Sequence, residues 1–211
     1  VDVGTIAALW RYPVKSLRAE SLDRATVLAD GLEGDRTAAL LVTDADHPRA
    51  GKPFRGKESP RLHLTDSVDT AVADAASRGA AVVLDRAAKR YFDLRTVSLV
   101  FDTWVGDVEA LVGEAFDPLR WRPNVLVTAL PAYAGREADL VGCTLSAGGV
   151  VLRVEQPIHR CVTTTYDVAT GEALPAVLRE VALHRANVLG IYCEVVAPGT
   201  LAVDDIVQLL G

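Results

Sequence analysis

Residues 156–171 read QPIHRCVTTTYDVATG, a cysteine set among hydrogen-bond donors and turn formers. Pro157 restrains the approaching backbone, His159 and Arg160 bring N–H groups, and the three threonines favour a short strand with alternate hydroxyls on one side. An acid-glycine turn closes the stretch at Gly171. Cys161 admits two readings at this point. Free cysteines are commonly small buried residues, whereas a thiol among cationic groups tends toward thiolate, the form that binds soft metals or attacks electrophiles.

The surrounding composition suits one soluble domain, or one domain with a small lobe: 211 residues, 50% apolar and 24% charged. A formal charge of −6 argues against nucleic acid or an acidic membrane held by bulk electrostatics, so an anionic ligand requires a local cluster of cations. Cys143, Cys161 and Cys193 stand far apart, with no C-x-x-C pair and one cysteine left over from any disulfide. No run approaches the roughly 18 apolar residues of a membrane span, and Asp2 stands where a secretory leader carries positive charge. A cytoplasmic protein is expected.

Along the chain, 3–12, 22–29 and the apolar run at 37–42 read as antiparallel strands, with turns at 12–16 and 31–36 that carry Lys15, Ser16 and Arg36. Those three residues are ordinary solvated turn groups unless something gathers them. Glu33 and Asp35 flank Arg36 and steer it. Residues 43–60 form an exposed loop able to act as a lid, 66–78 a helix capped by Asp66 and stopped by Gly79, and 81–94 a hairpin with arms at 81–84 and 90–94. A second helix over 102–113 presents Trp104, Val108, Leu111 and Val112 on one apolar face; Trp104 and Trp121 read as packing residues.

Arg120, Arg122 and Asn124 stand just ahead of an apolar strand. Guanidinium forks suit phosphate oxygens and an amide suits a heterocycle edge, while structural pairing with Asp117 or Glu114 is the plainer alternative. Farther on, 140–157 reads as two strands joined by Gly148-Gly149, 174–185 as a helix with Pro175 in its first turn, and 187–196 and 206–210 as closing strands. Cys143 and Cys193 read as core, His184 as a helix C-terminal residue, and His47 and His63 have no identifiable partner.

Four blocks in order, YPVKSL at 12–17, GLEGDR at 31–36, RWRPNV at 120–125 and HRCVTTTYDVATGE at 159–172, resemble the MOSC-domain family. That family is named for the C-terminal domain of molybdenum cofactor sulfurase. The tail, with LPAVLREVALHR, VLGIYCEV and VDDIVQL, extends the likeness to nearly the whole chain. It resembles the branch with an N-terminal β-barrel module, that of the mitochondrial amidoxime-reducing component and its bacterial relatives. The resemblance implies a mainly β, barrel-like fold with a few helices, an N-terminal module over 1–95 and a MOSC domain over 96–211.

It further implies the molybdenum cofactor, molybdopterin, with Cys161 as thiolate ligand to the metal. Lys15, Ser16, Arg36, Arg122, Asn124 and Arg160 match cofactor-contacting positions, Arg160 being also suited to orienting its loop. The implied reaction is two-electron reduction of an N-hydroxylated or N-oxide small molecule, with His159 available as catalytic proton donor. At that position relatives commonly carry a small hydroxyl residue, and an imidazole merely hydrogen-bonded in the loop is the alternative. With no ferredoxin-like cysteine cluster, electrons are expected from a separate donor protein. Two other readings use the same residues: a sulfurtransferase carrying a Cys161 persulfide, and a carrier that holds the cofactor without turnover.

Overall fold

The structure, a computed structural model, describes residues 1–86 and 90–210. Its strands are β1 (Asp2–Arg11), β2 (Glu20–Leu22), β3 (Arg24–Leu28), β4 (Gly31–Leu32), β5 (Ala39–Val42), β6 (Val82–Asp85) and β7 (Val97–Phe101). They continue with β8 (Val125–Ala129), β9 (Thr144–Ala147), β10 (Val150–His159), β11 (Val188–Ala197), β12 (Gly199–Ala202) and β13 (Ile206–Leu210). Among the described residues the α-helices are α1 (Val68–Ser77), α2 (Asp102–Val112) and α3 (Pro175–His184). The protein is mainly β, and none of these helices is long and apolar enough to cross a membrane.

Seven strands close a barrel in the order β13, β9, β10, β11, β7, β8, β1, with β1 bonded to both β8 and β13. Inward-facing apolar residues supply its interior: Leu99 from β7, Val127 from β8, Leu152 and Val154 from β10 and Ile191 from β11, together with Ile6 and Leu9 from β1, where a register shift between Ile6 and Ala8 resets the alternation, are all buried in one cluster. Cys193 belongs to that cluster, as expected, and burial pushes its thiol up to about 12. The β7–β8 pair is parallel, so the chain between them must cross over, and α2 lies in that connection. Val105 and Val108 of α2 pack with Val177 and Val181 of α3 against Val100 and Leu189, whose side chains face away from the barrel interior. A separate cluster, with Leu40, Val42, Phe54 and Leu62, lies under α1.

Several expectations hold locally. Gly113 ends α2 in the left-handed conformation, Pro175 occupies the first turn of α3, and Gly148-Gly149 joins β9 to β10. Others are corrected. The N-cap of α1 is Ser67, whose Oγ accepts from the Thr70 N–H at 3.2 Å, rather than Asp66. The 81–84 arm is real as β6 but pairs with β5; residues 90–94 are irregular, and 87–89, the middle of that expected hairpin, lie outside the described residues.

The threonine run is also not a strand. Val162–Thr165 form a 3-10 turn in which Thr164 Oγ1 donates to Cys161 O at 2.9 Å and Thr165 Oγ1 to Val162 O at 2.7 Å. Hydroxyls folded back on their own turn outcompete the ladder that β-branching favours. Cys143 is half-buried rather than core, its Sγ 3.6 Å from Asp139 O. The 43–60 loop buries Phe54 and Ser59, so it is anchored at that end instead of being exposed throughout.

Candidate functional site

The four blocks are hydrogen-bonded to one another. Asp35, fully buried, accepts from the Tyr12 N–H at 2.7 Å and pairs with Arg36, while the Arg36 N–H donates to Tyr12 O at 2.7 Å, which locks the 31–36 turn onto the 12–17 turn. The Tyr12 hydroxyl donates to Pro123 O at 3.1 Å and Arg122 Nη2 to Leu17 O at 2.9 Å, tying in the third block. The fourth is held by Arg160 Nη1 to Trp121 O at 2.8 Å and Arg120 Nη1 to Thr165 O at 2.8 Å. Segments far apart in sequence thus become one wall.

That wall surrounds a cleft of about 350 Å³, within the usual size of small-molecule sites. Lys15, Ser16, Arg36, Arg122, His159, Arg160 and Cys161 all line it. Asn124 does not. It is buried behind the cleft, its Oδ1 accepting from the Ser98 N–H (3.1 Å) and Oγ (2.9 Å) and its Nδ2 donating to Trp10 O at 3.1 Å. The amide holds β1 and β7 beside β8, and meets the cleft lining through Ser98 and through Arg36 Nη1 at 3.4 Å. Trp104 and Trp121 are packing residues, both buried.

Ser16, Arg36 and Arg122 share an unusual backbone, with φ of 71°, 50° and 51°. Left-handed non-glycine residues cost about 1–3 kcal/mol each and persist where surrounding structure enforces them, often at ligand sites. Three such residues at one cleft concentrate strain where the candidate contacts are.

Charge is concentrated there too. Burial lowers the pKa of Arg122 to about 10, with its guanidinium 4.2 Å from the Tyr12 ring centroid. Among the described residues no carboxylate makes ion-pair contact with it. Arg36 stacks on the same ring at 4.6 Å; burial opposes its charge, but Asp35 prevails and holds its pKa above the ordinary value. Tyr12, buried beneath both, is pushed up to about 12 by that burial in spite of the two arginines. Arg160, lowered by burial to about 10, donates from Nε to Leu189 O at 2.6 Å and from Nη2 to the same carbonyl. Gly190 is what admits it: a Cβ there would lie 2.9 Å from Arg160 Nη2, at a φ of +88°.

Two residues of the cleft were invisible in the sequence. His63 is buried, with Nδ1 2.9 Å from Ser16 O and 3.0 Å from Arg122 Nη1, and burial together with the Arg122 charge lowers its pKa to about 3. Its partners, not identifiable from the sequence, lie 47 and 59 residues away. Asp93, on the irregular stretch before β7, pairs with Lys15. The 43–60 loop contributes Arg55, Gly56 and Lys57 to the rim.

Cys161 is half-buried at the start of its 3-10 turn, with Sγ 3.1 Å from Thr163 Oγ1. Among the described residues no three His, Cys, Asp or Glu side chains gather as a metal site, so a metal at this thiol would bring its other ligands with it. The molybdenum cofactor, with its own dithiolene, phosphate and pterin edges, is a group of that kind. The donor set fits it: among the described residues Arg120 Nε and Trp121 Nε1 are buried N–H groups without hydrogen-bond partners, His63 Nε2 is a buried ring nitrogen likewise without one, all three lie on cleft-lining residues, and Arg122 holds a buried charge with no counter-ion in contact.

Comparison with known proteins identifies the family. Residues 89–208 match the MOSC domain family and residues 3–99 the MOSC N-terminal β-barrel domain family. No curated protein matches the chain. The fold is similar to the crystal structure of the YuaD protein from Bacillus subtilis, with a TM-score of 0.59, 16% identity, and coverage of 98% of this chain and 95% of that one. It is also similar to YiiM from Escherichia coli, with a TM-score of 0.51, 14% identity, and coverage of 100% of this chain and 70% of that one.

Proposed function

The chain belongs to the MOSC family, whose members commonly bind the molybdenum cofactor, and on that premise we propose that it holds this cofactor in the 350 Å³ cleft and reduces N-hydroxylated or N-oxide small molecules. The observation that carries the reading is the convergence of Lys15, Ser16, Arg36 and Arg122 on the same cleft as the Cys161 thiol, in an otherwise acidic protein.

The residues divide the work by chemistry. Lys15, Arg36 and Arg122 neutralise the anionic phosphate, with Ser16 beside them as a hydroxyl donor. Arg120 and Arg160 keep the cysteine loop in place through backbone carbonyls, and Asn124 holds the strands behind it. Cys161 supplies the thiolate to the metal, and Thr163 Oγ1, 3.1 Å from Sγ, orients that sulfur. His159, exposed at the rim, holds a proton for the substrate oxygen. When bound, the cofactor supplies the two-electron oxygen-atom chemistry; the protein supplies placement and charge. Electrons come from a separate donor protein, and three free cysteines are in keeping with a reducing cytoplasm.

The reaction is tested with protein from a cofactor-making host, an amidoxime or hydroxylamine, and a chemical electron donor. Wild type is expected to form the reduced amidine or amine, and Cys161→Ser is expected to form none. Cofactor-loaded wild type without turnover would leave a carrier, and metal-free protein with a cyanide-labile sulfur on Cys161 would make it a sulfurtransferase.

A further inference from the structure

Asp93 is the one carboxylate among the described residues that line the cleft, where it stands amid Lys15, Arg36, Arg55, Arg120, Arg122 and Arg160. Its placement follows from the stretch that carries it. Arg90 is fastened to Asp30 at 2.7 Å and donates to Asp35 O at 3.1 Å, and the Tyr91 N–H donates to Arg36 O at 2.8 Å. Six residues after Tyr91, β7 begins at Val97. Anchored at both ends, the segment delivers the Asp93 carboxylate to Lys15 Nζ, which also donates to Tyr91 O at 3.0 Å.

The two partners differ in freedom. The Lys15 side chain is 12% exposed and the Asp93 side chain 70% exposed, so Lys15 is held in the wall while Asp93 reaches it from the solvent side. Rotation of Asp93 alone opens the pair. The same carboxylate acts electrostatically on Arg36 and Arg122, the two cations that share the Tyr12 ring.

A ligand anion approaching Lys15, Arg36 and Arg122 therefore meets a like charge already seated there. We infer that Asp93 is an internal anion: its carboxylate neutralises Lys15 in the free cleft and is displaced when an anionic ligand binds, so that Asp93 sets the affinity and selectivity of the cleft for anions. A monoanion gains little by exchanging for a carboxylate, whereas a multiply charged group such as a phosphate dianion gains the field of three cations. The inference rests on the anion-binding part of the proposed function and is independent of molybdenum.

It is tested on the full-length protein free of cofactor, with inorganic pyrophosphate as the probe and isothermal calorimetry as the readout. Asp93→Asn keeps the shape of the side chain and removes its charge, and it is expected to bind the probe roughly three- to tenfold more tightly than wild type, the range a partly exposed charge pair supports. Lys15→Ala is expected to weaken binding, and in the Lys15→Ala background Asp93→Asn is expected to gain less than half of that factor, since the pair no longer exists. Equal or weaker binding by Asp93→Asn, an undiminished gain without Lys15, or no binding by any form would overturn the proposal. Far-ultraviolet circular dichroism on each variant separates these outcomes from misfolding. Molybdenum content, read separately, reports on the cofactor assignment and does not enter this test.

Discussion

The wall that carries Cys161 and the wall built from the 12–17 and 31–36 turns both use cations, to different ends. Arg120 and Arg160 spend their N–H groups mainly on the backbone carbonyls of Thr164, Thr165, Trp121 and Leu189, Arg120 also reaching the Asp167 carboxylate at 3.5 Å. On the other wall, Arg36 and Lys15 are matched with carboxylates. Arg122, with Leu17 O and His63 as partners, has no carboxylate in contact among the described residues. The first pair are crosslinks that shape a loop around the thiol. The second group carries charge that is either balanced by a replaceable partner or left unbalanced, which is how a protein of net charge −6 holds an anion.

The comparison breaks most plainly in a pair of isosteric truncations. Arg160→Met removes a buried charge, but the three hydrogen bonds lost with it pin the Trp121 and Leu189 carbonyls, and it is expected to cost about 2 kcal/mol of stability. Arg122→Met removes a buried unbalanced charge along with its bonds, so the two effects offset and the change is expected to stay within about 1 kcal/mol, while anion binding is lost. Urea unfolding of both variants measures the difference; equal costs would erase the distinction between the walls.

A pH-dependent effect sharpens the electrostatic side. His63 has a folded pKa of about 3 against an ordinary value of 6.5, so between those values the unfolded chain binds a proton that the folded protein does not. Stability contributed by the neutral ring is therefore present above about pH 6.5 and falls as the pH drops, by about 1.4 kcal/mol per unit. Wild type is expected to lose about 3 kcal/mol more than His63→Gln between pH 7 and pH 4.5, measured by urea unfolding at the two values. A parallel loss in both proteins would mean that His63 is not held neutral by burial and Arg122.

Much of the candidate cleft's lining is legible in the sequence. Cys161, His159, Arg160, Lys15, Ser16, Arg36 and Arg122 all line one cleft because each lies in a block whose turn or strand end is itself written in glycine, proline and charge. What escaped has physical causes. In β7, VSLVF is buried at every residue, covered by the barrel interior on one face and by α2 and α3 on the other, so alternation gives no signal. Ser16, Arg36 and Arg122 adopt left-handed backbone without being glycine, so their own identity does not announce it. His63 and Asp93 belong to no block, and their roles come from partners brought close only by folding: Ser16 and Arg122 for the first, Lys15 for the second. Asn124 shows the converse, a site-like residue spent on structure.

The central claim is that Cys161 and the cationic wall form one cofactor site. Elemental analysis of protein purified from a cofactor-making host tests it most directly, with wild type beside Cys161→Ser and Arg122→Met. Near-stoichiometric molybdenum with a pterin in wild type, and its loss or an altered optical spectrum in both variants, is the predicted result. Wild-type protein free of molybdenum, or metal retained unchanged in both variants, would contradict the account.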